Sequence, residues 1–468
     1  MQMQRRVLVY AIVIAASVAT IAGLLHMGET WFPASGIATV GAARPAPAVP
    51  IDALRRPLAL LIIQLLVIVL ATQVGGSIAA WLGQPAVVGE IAAGLILGPS
   101  LVGQVSPAAY SFLFPDASLD ILRLLSQVGV ILFMFGVGLD VDVGHLRQRA
   151  PTAIAVSHFS IVVPFVLGVI SALVLFRHYA PAGVSFHSFA LFLGIALSIT
   201  AFPVLARVIE ERGLARTPLG TTALACAAVD DVTAWSLLAL VVTLVSAGGP
   251  GGMLAVMVGA LAVFMAAMVW LVRPWLGRVF ENARAPLSRG LTAHALVVLL
   301  GAALLTEVIG IHALFGAFLA GAIMPPGQEL RHQLRERLEG LSSVFLLPVF
   351  FAYTGLRTEI GLLNDAASWA VCLGIILTAV AGKLLGSMLA ARWSGSSWHD
   401  AFVLGALMNT RGLMELVALN VGYDLGILSP HMFTMLVVMA LVTTAMTGPL
   451  IDLASRPDAR RAGRIARR

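Results

Sequence analysis

The chain alternates long apolar stretches with short segments rich in charged residues, Pro or Gly. A helix that crosses the hydrocarbon core of a bilayer needs about 20 consecutive apolar residues. The alternation therefore predicts an all-α, polytopic membrane protein. The shortest stretch, 312–325, is counted as a span because of its place in the pattern. The predicted spans are 7–27, 58–81, 86–103, 121–140, 151–176, 186–209, 219–246, 252–271, 290–309, 312–325, 340–357, 366–391, 400–422 and 430–452.

The first apolar stretch, 7–27, has two interpretations. Arg5 and Arg6 precede it, as in a signal peptide, but it is longer than the roughly 7–15 residues of a signal-peptide core. We favour a retained helix over a cleaved signal. The sequence then divides into an N-terminal helix with a Pro- and Ala-rich linker (1–57), a transmembrane domain (58–452) and a basic tail (453–468).

Composition narrows the function. Charged residues make up 11% of the chain, against roughly 25% in a soluble domain. That proportion excludes a soluble enzyme, a disordered chain and a nucleic-acid binder. The two cysteines, Cys226 and Cys372, lie in apolar runs, the histidines form no metal-binding spacing, and the glycine-rich stretches lack a nucleotide-binding context. We therefore expect neither a cofactor nor enzymatic activity.

The arginines in the loops predict the orientation. If the amino terminus is cytoplasmic, most loop arginines fall on the cytoplasmic side, as the positive-inside rule requires. We accordingly expect both termini in the cytoplasm and a bacterial inner-membrane location. The predicted cytoplasmic arginines include Arg147, Arg149, Arg212, Arg216, those from Arg273 to Arg289 and from Arg331 to Arg337, Arg392 and six in the tail.

Two spans contain polar interruptions at mid-membrane depth. After 58–81 the spans divide into two sets of six, 86–271 and 290–452, and each set has one interrupted span. The interruptions are SITAFP, beginning at Ser198, and MNTRG, beginning at Met408. Backbone groups freed there cannot face lipid and must line an enclosed or wet cavity. Interrupted helices in both halves indicate a transporter site near the midplane.

Two adjacent acids, Asp230 and Asp231, lie at the centre of an otherwise apolar span. An ionisable group there costs about 2.5–3.5 kcal/mol on insertion scales, so it needs a functional or structural reason. One interpretation is a site where the carboxylates bind a proton or a monovalent cation, with oxygens from Thr200, Ser198 and the rest of SITAFP as further ligands. The alternative is a helix cap or a salt-bridged structural pair.

Lys383 is the sole lysine, and the 28 other basic residues are arginines. Lysine can lose its proton when buried, whereas a guanidinium remains charged. One hypothesis is that Lys383 pairs with Asp230 and releases it when a cation arrives. The alternatives are that Lys383 simply neutralises the aspartate, or that it extends toward a helix end.

Further polar residues are supporting candidates. Arg411 and Glu415 are four residues apart, which places them on one helical face, either as a salt bridge that holds the broken helix or in contact with the ion. Asn409 and Thr410 lie in the interruption itself. Glu90 is expected to pair with an arginine and to support packing.

Seven motifs in order resemble the monovalent cation:proton antiporter-2 family, which includes Kef-type and Nap-type antiporters. The resemblance covers roughly residues 58–452. The motifs are QPAVVGEIAAGLILGPSLVG, LFMFGVGLDVD, SITAFPVLARVIEERG, VDDV, HALFGAFLAGAIMP, PVFFAYTGLRTEI and MNTRGLMELVALNVGYDLG.

The resemblance implies an Nha/Nap-type fold with a 13-helix core of two inverted six-helix repeats and crossed discontinuous helices. It also implies a homodimer, and an ion-carrying panel that moves as an elevator. By motif, Asp231 resembles the principal ion-binding carboxylate, Asp230 the partner of Lys383, and Thr200 the hydroxyl of the first crossing. The expected function is exchange of Na⁺ or K⁺ for protons.

Two features of the sequence disagree about which cation is transported. The aspartate pair with a lysine resembles the electrogenic, sodium-transporting members, whereas NTRGLMELVALNVGYDLG resembles the plant-type and potassium-transporting branch.

Besides the ions, the expected partners are the bilayer and a second copy of the chain, with no nucleic acid. The alternative function is a cation channel or a K⁺ efflux system without strict proton coupling.

Overall fold

The computed structural model describes Leu54 and residues 56–140, 150–214, 217–246, 252–281 and 286–465. The predicted helix 7–27 lies outside these residues. Within the described part of the chain the secondary structure is helical throughout, with no β-strand. This agrees with the all-α prediction.

Sixteen helices are numbered here in chain order. Short helical segments connect some of them: α8 continues through a π-helical turn, Met268–Val272, into Arg273–Val279, and another π-helical turn, Ser342–Leu346, joins α11 to α12. The helices are α1 (Pro57–Trp81), α2 (Ala86–Leu97), α3 (Asp116–Asp140), α4 (Ala150–Tyr179), α5 (Phe186–Ala196), α6 (Phe202–Glu211), α7 (Pro218–Ser246), α8 (Gly252–Ala267), α9 (Arg289–Ile309), α10 (Ala313–Ala322), α11 (Gln328–Leu341), α12 (Leu347–Leu356), α13 (Ala366–Trp393), α14 (Trp398–Met408), α15 (Leu413–Asp424) and α16 (Pro430–Ile465).

Each predicted span from residue 58 onward coincides with one or more of these helices. Within the described residues, nine helices are long and apolar enough to cross a membrane, or up to eleven if two bent pairs each count as one span. The count is below the predicted thirteen partly because α5 and α10 are too short to cross alone. The all-α, multi-span architecture that the sequence predicts is therefore present in these residues.

Two features differ from the sequence-based expectation. Helix α11 lies in what the hydropathy pattern assigned to a loop, because this helix is amphipathic and not apolar, with Leu334 buried on one face. Helix α16 does not end at 452 but continues to Ile465, so most of the basic tail is helical.

The helices pack in two groups. In the first group, α12 packs against α1, α2 and α3, and α10 packs against α3 and α9. In the second group, α4 packs against α5, α7 and α13, while α16 packs against α13, α14 and α15. The interrupted helices belong to the second group.

Glycines permit the closest helix contacts in the first group. A Cβ added to Gly355 on α12 would lie 2.1 Å from the backbone carbon of Gly94 on α2. Likewise, a Cβ on Gly138 of α3 would lie 2.1 Å from the carbonyl oxygen of Phe318 on α10. Because lipid supplies little hydrophobic driving force between helices, such close backbone approach is a main source of their association.

Candidate functional site

The two interrupted helices meet at their breaks. The chain leaves α5 at Ala196 and re-enters a helix at Phe202, and it leaves α14 at Met408 and re-enters at Leu413. Between the breaks, the backbone N–H of Ala201 donates to the carbonyl oxygen of Thr410 at 3.1 Å. The freed backbone groups thus bond to one another inside the protein, as the absence of water in a bilayer demands.

Glycine makes the second break possible. Gly412, directly before α15, has a φ of 146°, a conformation that residues with a Cβ rarely adopt. The α14–α15 pair bends by 44° at this point. The bend turns the start of α15 toward the end of α5.

Arg411 ties the two breaks together. Its Nη1 donates to the carbonyl oxygen of Ala196 at 2.8 Å, and its Nη2 donates to that of Leu197 at 2.6 Å. Nη1 also lies 3.0 Å from Glu415 Oε1, and both side chains are fully buried. The C-terminal end of a helix carries partial negative charge and unsatisfied carbonyls, so a guanidinium stabilises it in both respects.

Asp230 accepts hydrogen bonds from three hydroxyls. Ser157 donates to Oδ1 at 2.7 Å, Ser160 lies 2.9 Å from Oδ1 and 2.8 Å from Oδ2, and Thr200 donates to Oδ2 at 2.6 Å. Asp230 itself is 0% exposed. A buried carboxylate is costly unless such bonds compensate for the lost water, and α4 and the first break supply this compensation to Asp230 on α7.

Lys383 completes the cluster from α13. Its Nζ lies 3.1 Å from Asp230 Oδ2 and donates to Thr200 Oγ1 at 2.6 Å, with Ser160 Oγ at 3.5 Å. The side chain is 0% exposed. Thr200 therefore accepts from the ammonium and donates to the carboxylate, so side chains of α13 and α7 meet at one hydroxyl of the first break.

Asp231 is the next residue on α7 and is 3% exposed. Successive residues on a helix point about 100° apart, so its carboxylate leaves the helix in a different direction from that of Asp230. Of the two acids, Asp230 is the one that lies in a salt bridge with Lys383.

The other candidates from the breaks bond mainly to nearby backbone and side chains. Ser198 Oγ lies 2.6 Å from the carbonyl oxygen of Gly194 and 3.0 Å from that of Ile161. Asn409 Nδ2 donates to the carbonyl oxygen of Thr443 at 3.4 Å, and Thr410 Oγ1 lies 3.4 Å from Thr447 Oγ1. These contacts fix the shape of the two breaks. Glu90 is half-buried on α2, within the first helix group.

Sequence reasoning missed two hydroxyls that bond to Asp230 and one helix cap. Ser157 and Ser160 are three residues apart on α4 and so share one helical face; two hydroxyls at this spacing in an apolar span were the available signal. Glu307, at the end of α9, accepts a hydrogen bond from the backbone N–H of Ala313 at 2.8 Å and thereby caps α10.

The architecture defines the class of protein. Crossed interrupted helices that enclose a buried ion pair near the middle of a membrane bundle are the arrangement of a secondary transporter. Residues 65–454 match the family model described as sodium/hydrogen exchanger, transmembrane, and the chain belongs to this family. The membership that the seven motifs indicated is confirmed.

Curated relatives extend over the same region. The chain is 44% identical over 397 residues to the Na⁺/H⁺ antiporter NhaS4 of Synechocystis sp., a match that covers 84% of the chain and 97% of the relative. It is 38% identical to cation/H⁺ antiporter 17 of Arabidopsis thaliana and 34% identical to K⁺/H⁺ antiporter 1 of Saccharomyces cerevisiae. These matches cover 86% and 87% of the chain but only 49% and 47% of the relatives, so the chain spans about half the length of each.

A solved structure supports the fold. The sodium/proton antiporter MjNhaP1 of Methanocaldococcus jannaschii superposes with a TM-score of 0.62, covering 85% of this chain and 99% of the other, at 16% sequence identity. At this identity the likeness establishes the fold of this multi-pass membrane protein and no more.

Proposed function

We propose that the chain is a secondary active antiporter that exchanges Na⁺ or K⁺ for protons at Asp230 and Asp231. The observation that carries the proposal is the fully buried Lys383–Asp230 pair at the crossing of two interrupted helices, with a second buried acid beside it. Ionisable groups at this depth in a membrane protein mark ion pathways and proton relays by default.

The charges of the buried groups explain why exchange is obligatory. Arg411 and Glu415 offset each other, and so do Lys383 and Asp230. Either a proton or one monovalent cation would neutralise the carboxylate of Asp231 when the site is loaded. Carrying an unneutralised charge past apolar walls is expensive, so movement of the site occurs only when it is loaded.

The donor set suits a hard cation. Carboxylate, hydroxyl and carbonyl oxygens are the ligands that alkali and other hard cations prefer. Asp231 would be the principal ligand, with Asp230 and Thr200 beside it, and Lys383 would hold Asp230 while no cation is bound. If the Lys383–Asp230 pair also exchanges a proton, two protons move for each cation and the exchange is electrogenic.

Movement of the site would be of elevator type. The helices that hold the cluster, α4, α5, α7 and α13, pack together in the second helix group, so they can travel as a unit against α1, α2, α3 and α12. The same division of the helices supports the homodimer, in which the first group would form the static interface. The bacterial relative supports a plasma-membrane location.

The cation can be decided by direct measurement. Full-length protein in lipid vesicles, energised by a pH gradient, would be challenged with Na⁺, Li⁺ and K⁺ at several pH values, with proton flux followed by a pH-sensitive dye. We expect cation-dependent proton flux that Asp231→Asn abolishes. Asp120→Asn, which removes an exposed acid from a pair within α3, serves as the matched control and should retain the flux.

Two other results would contradict parts of the proposal. Full flux in Asp231→Asn would contradict the assignment of Asp231 as an ion-binding residue. A transport rate that does not change with an imposed membrane potential would contradict electrogenic exchange. Electrical currents far above carrier turnover would instead identify a channel.

A further inference from the structure

A second polar cluster joins α12 to α15, away from the breaks. Arg357, directly after α12, donates from Nη1 to Asn420 Oδ1 at 3.0 Å and from Nη2 to Asp424 Oδ1 at 2.5 Å. Asn420 in turn donates to Thr354 Oγ1 at 2.9 Å. These four residues, Thr354, Arg357, Asn420 and Asp424, are called the outer cluster below.

Aromatic rings reinforce the outer cluster. The guanidinium carbon of Arg357 lies 4.3 Å from the ring centroid of Tyr423, 5.2 Å from that of Tyr353 and 6.0 Å from that of Phe433. The side chains of Arg357 and Asp424 are only 15% and 27% exposed. A partly shielded, hydrogen-bonded pair over aromatic faces is held more firmly than a surface ion pair in full contact with water.

The outer cluster connects the two helix groups. Helix α12 packs against α1, α2 and α3, whereas α15 packs against α5 and α16. Helix α15 also begins at the break that Arg411 holds, and its 12 residues correspond to about 18 Å of rise. Asp424 lies at the opposite end of the same helix. A movement of the ion site that carries α15 with it therefore also moves Asp424.

The space beside the outer cluster is narrow. A cavity of about 30 Å³ lies against it, and Arg123, His312, Arg357, Asn420 and Asp424 are among its lining residues. At about 10–15 Å³ for each water, this is room for two or three water molecules and not for a cation with its full hydration shell. Asp231 itself is 3% exposed, so it is almost closed to water in this structure.

The arginine distribution predicts that the loops after Arg357 and Asp424 face the extracytoplasmic side. A site that opens to that side needs α15 to separate from α12, which breaks every contact in the outer cluster. We propose that the outer cluster is a gate that closes the extracytoplasmic route to Asp230 and Asp231. The gate rests on the proposed antiport function.

A reversible cross-link tests the gate directly. The variant carries Thr354→Cys and Asn420→Cys, whose native side chains touch, in a background with Cys226→Ala and Cys372→Ala. In vesicles, oxidation should reduce cation-dependent proton flux at least about tenfold, and a reductant should restore it. Each single-cysteine variant, treated identically, should keep its flux. If the oxidised protein carries a verified cross-link and still transports as fast as the protein before oxidation, the gate is overturned.

The reduced protein separates the two hypotheses. The flux of the reduced variant is the reference for its oxidised form. Absence of cation-dependent flux in the cysteine-free parent, which keeps Thr354 and Asn420, contradicts the proposed antiport and says nothing against the gate. The gate is then read from accessibility alone, in the measurement that follows.

Labelling of a buried reporter measures gate opening without transport. Val417→Cys, at a position that lines the narrow cavity and is 2% exposed, is introduced into the same cysteine-free background. In intact cells, adding Asp424→Asn should raise the rate of reaction with a membrane-impermeant maleimide roughly fivefold, because one charge-assisted contact of the gate is lost. Glu336→Gln, which removes an exposed acid from a pair within α11, should leave the rate unchanged. An equal rate in the Asp424→Asn variant and its parent would contradict the gate.

Discussion

Lys383 and Asp230 stabilise each other only as a pair. Both are 0% exposed, so removing one partner leaves an uncompensated buried charge, which costs about 3–5 kcal/mol. We predict that Lys383→Ala and Asp230→Ala each lower the thermal stability of the purified protein, and that the double variant is more stable than the sum of the two losses implies.

The measurement for this pair is thermal unfolding of all four proteins in one detergent. Strict additivity of the two single losses would show that the ammonium and the carboxylate do not interact. Arg392→Ala, on the exposed surface at the end of α13, is the control for loss of a cation and should change stability little.

Arg411 should not tolerate even a conservative change. Its two Nη atoms serve the carbonyls of Ala196 and Leu197 at once, which the single ammonium of lysine cannot reproduce. We predict that Arg411→Lys lowers cation-dependent proton flux about tenfold, as expected when one buried charged hydrogen bond is lost. Arg392→Lys should be neutral. Wild-type flux in Arg411→Lys would show that the tie between the breaks is dispensable.

Side chains that are expensive in lipid were the ones the sequence could identify. Asp230, Asp231 and Lys383 were apparent because a charge in an apolar span needs a reason. Ser157 and Ser160 were not, because a serine in a membrane helix can bond to its own backbone and needs no partner elsewhere. Their contacts with Asp230 depend on how α4 packs on α7, which no local pattern encodes.

At the scale of the element, hydropathy predicted helices well where they are long and apolar. It failed for α11, whose polar face hides the helical period from a hydropathy window. It also could not place the ends of α5 and α6 within their span, since a break in a helix is stabilised by contacts such as that of Arg411 with Leu197, far away in the chain.

The contact of α2 with α12 should depend on glycine. Alanine at Gly355 would place a Cβ 2.1 Å from the backbone of Gly94, and backbone cannot move aside cheaply. We predict that Gly355→Ala destabilises the protein by about 1–3 kcal/mol, the usual cost of overpacking. The thermal midpoint of the purified variant measures the loss.

Gly374→Ala on α13 provides the matched control. A Cβ there meets nothing within 4 Å, and alanine is the better helix former. It should leave stability unchanged or slightly raised. Equal thermal midpoints for the two glycine variants would mean that close approach does not hold α2 to α12.

At the scale of the whole molecule, the residue pattern predicted two interrupted spans, and the family resemblance implied that they cross, but neither predicted the contacts that join them. The site is assembled from α4, the first break, α7 and α13, which come together only through long-range packing. The inverted relation of the two repeats was implied by resemblance and stays a prediction.

Orientation decides which side the outer cluster faces, and it is testable for the whole chain. The arginine distribution predicts a cytoplasmic carboxyl terminus and an extracytoplasmic loop between Arg357 and α13. A fluorescent protein that folds only in the cytoplasm should therefore fluoresce when fused after Arg468. A single cysteine at exposed Glu359→Cys, in the cysteine-free background, should react with impermeant maleimide in intact cells. A dark fusion together with an unreactive Glu359→Cys would reverse the topology and place the gate on the cytoplasmic side.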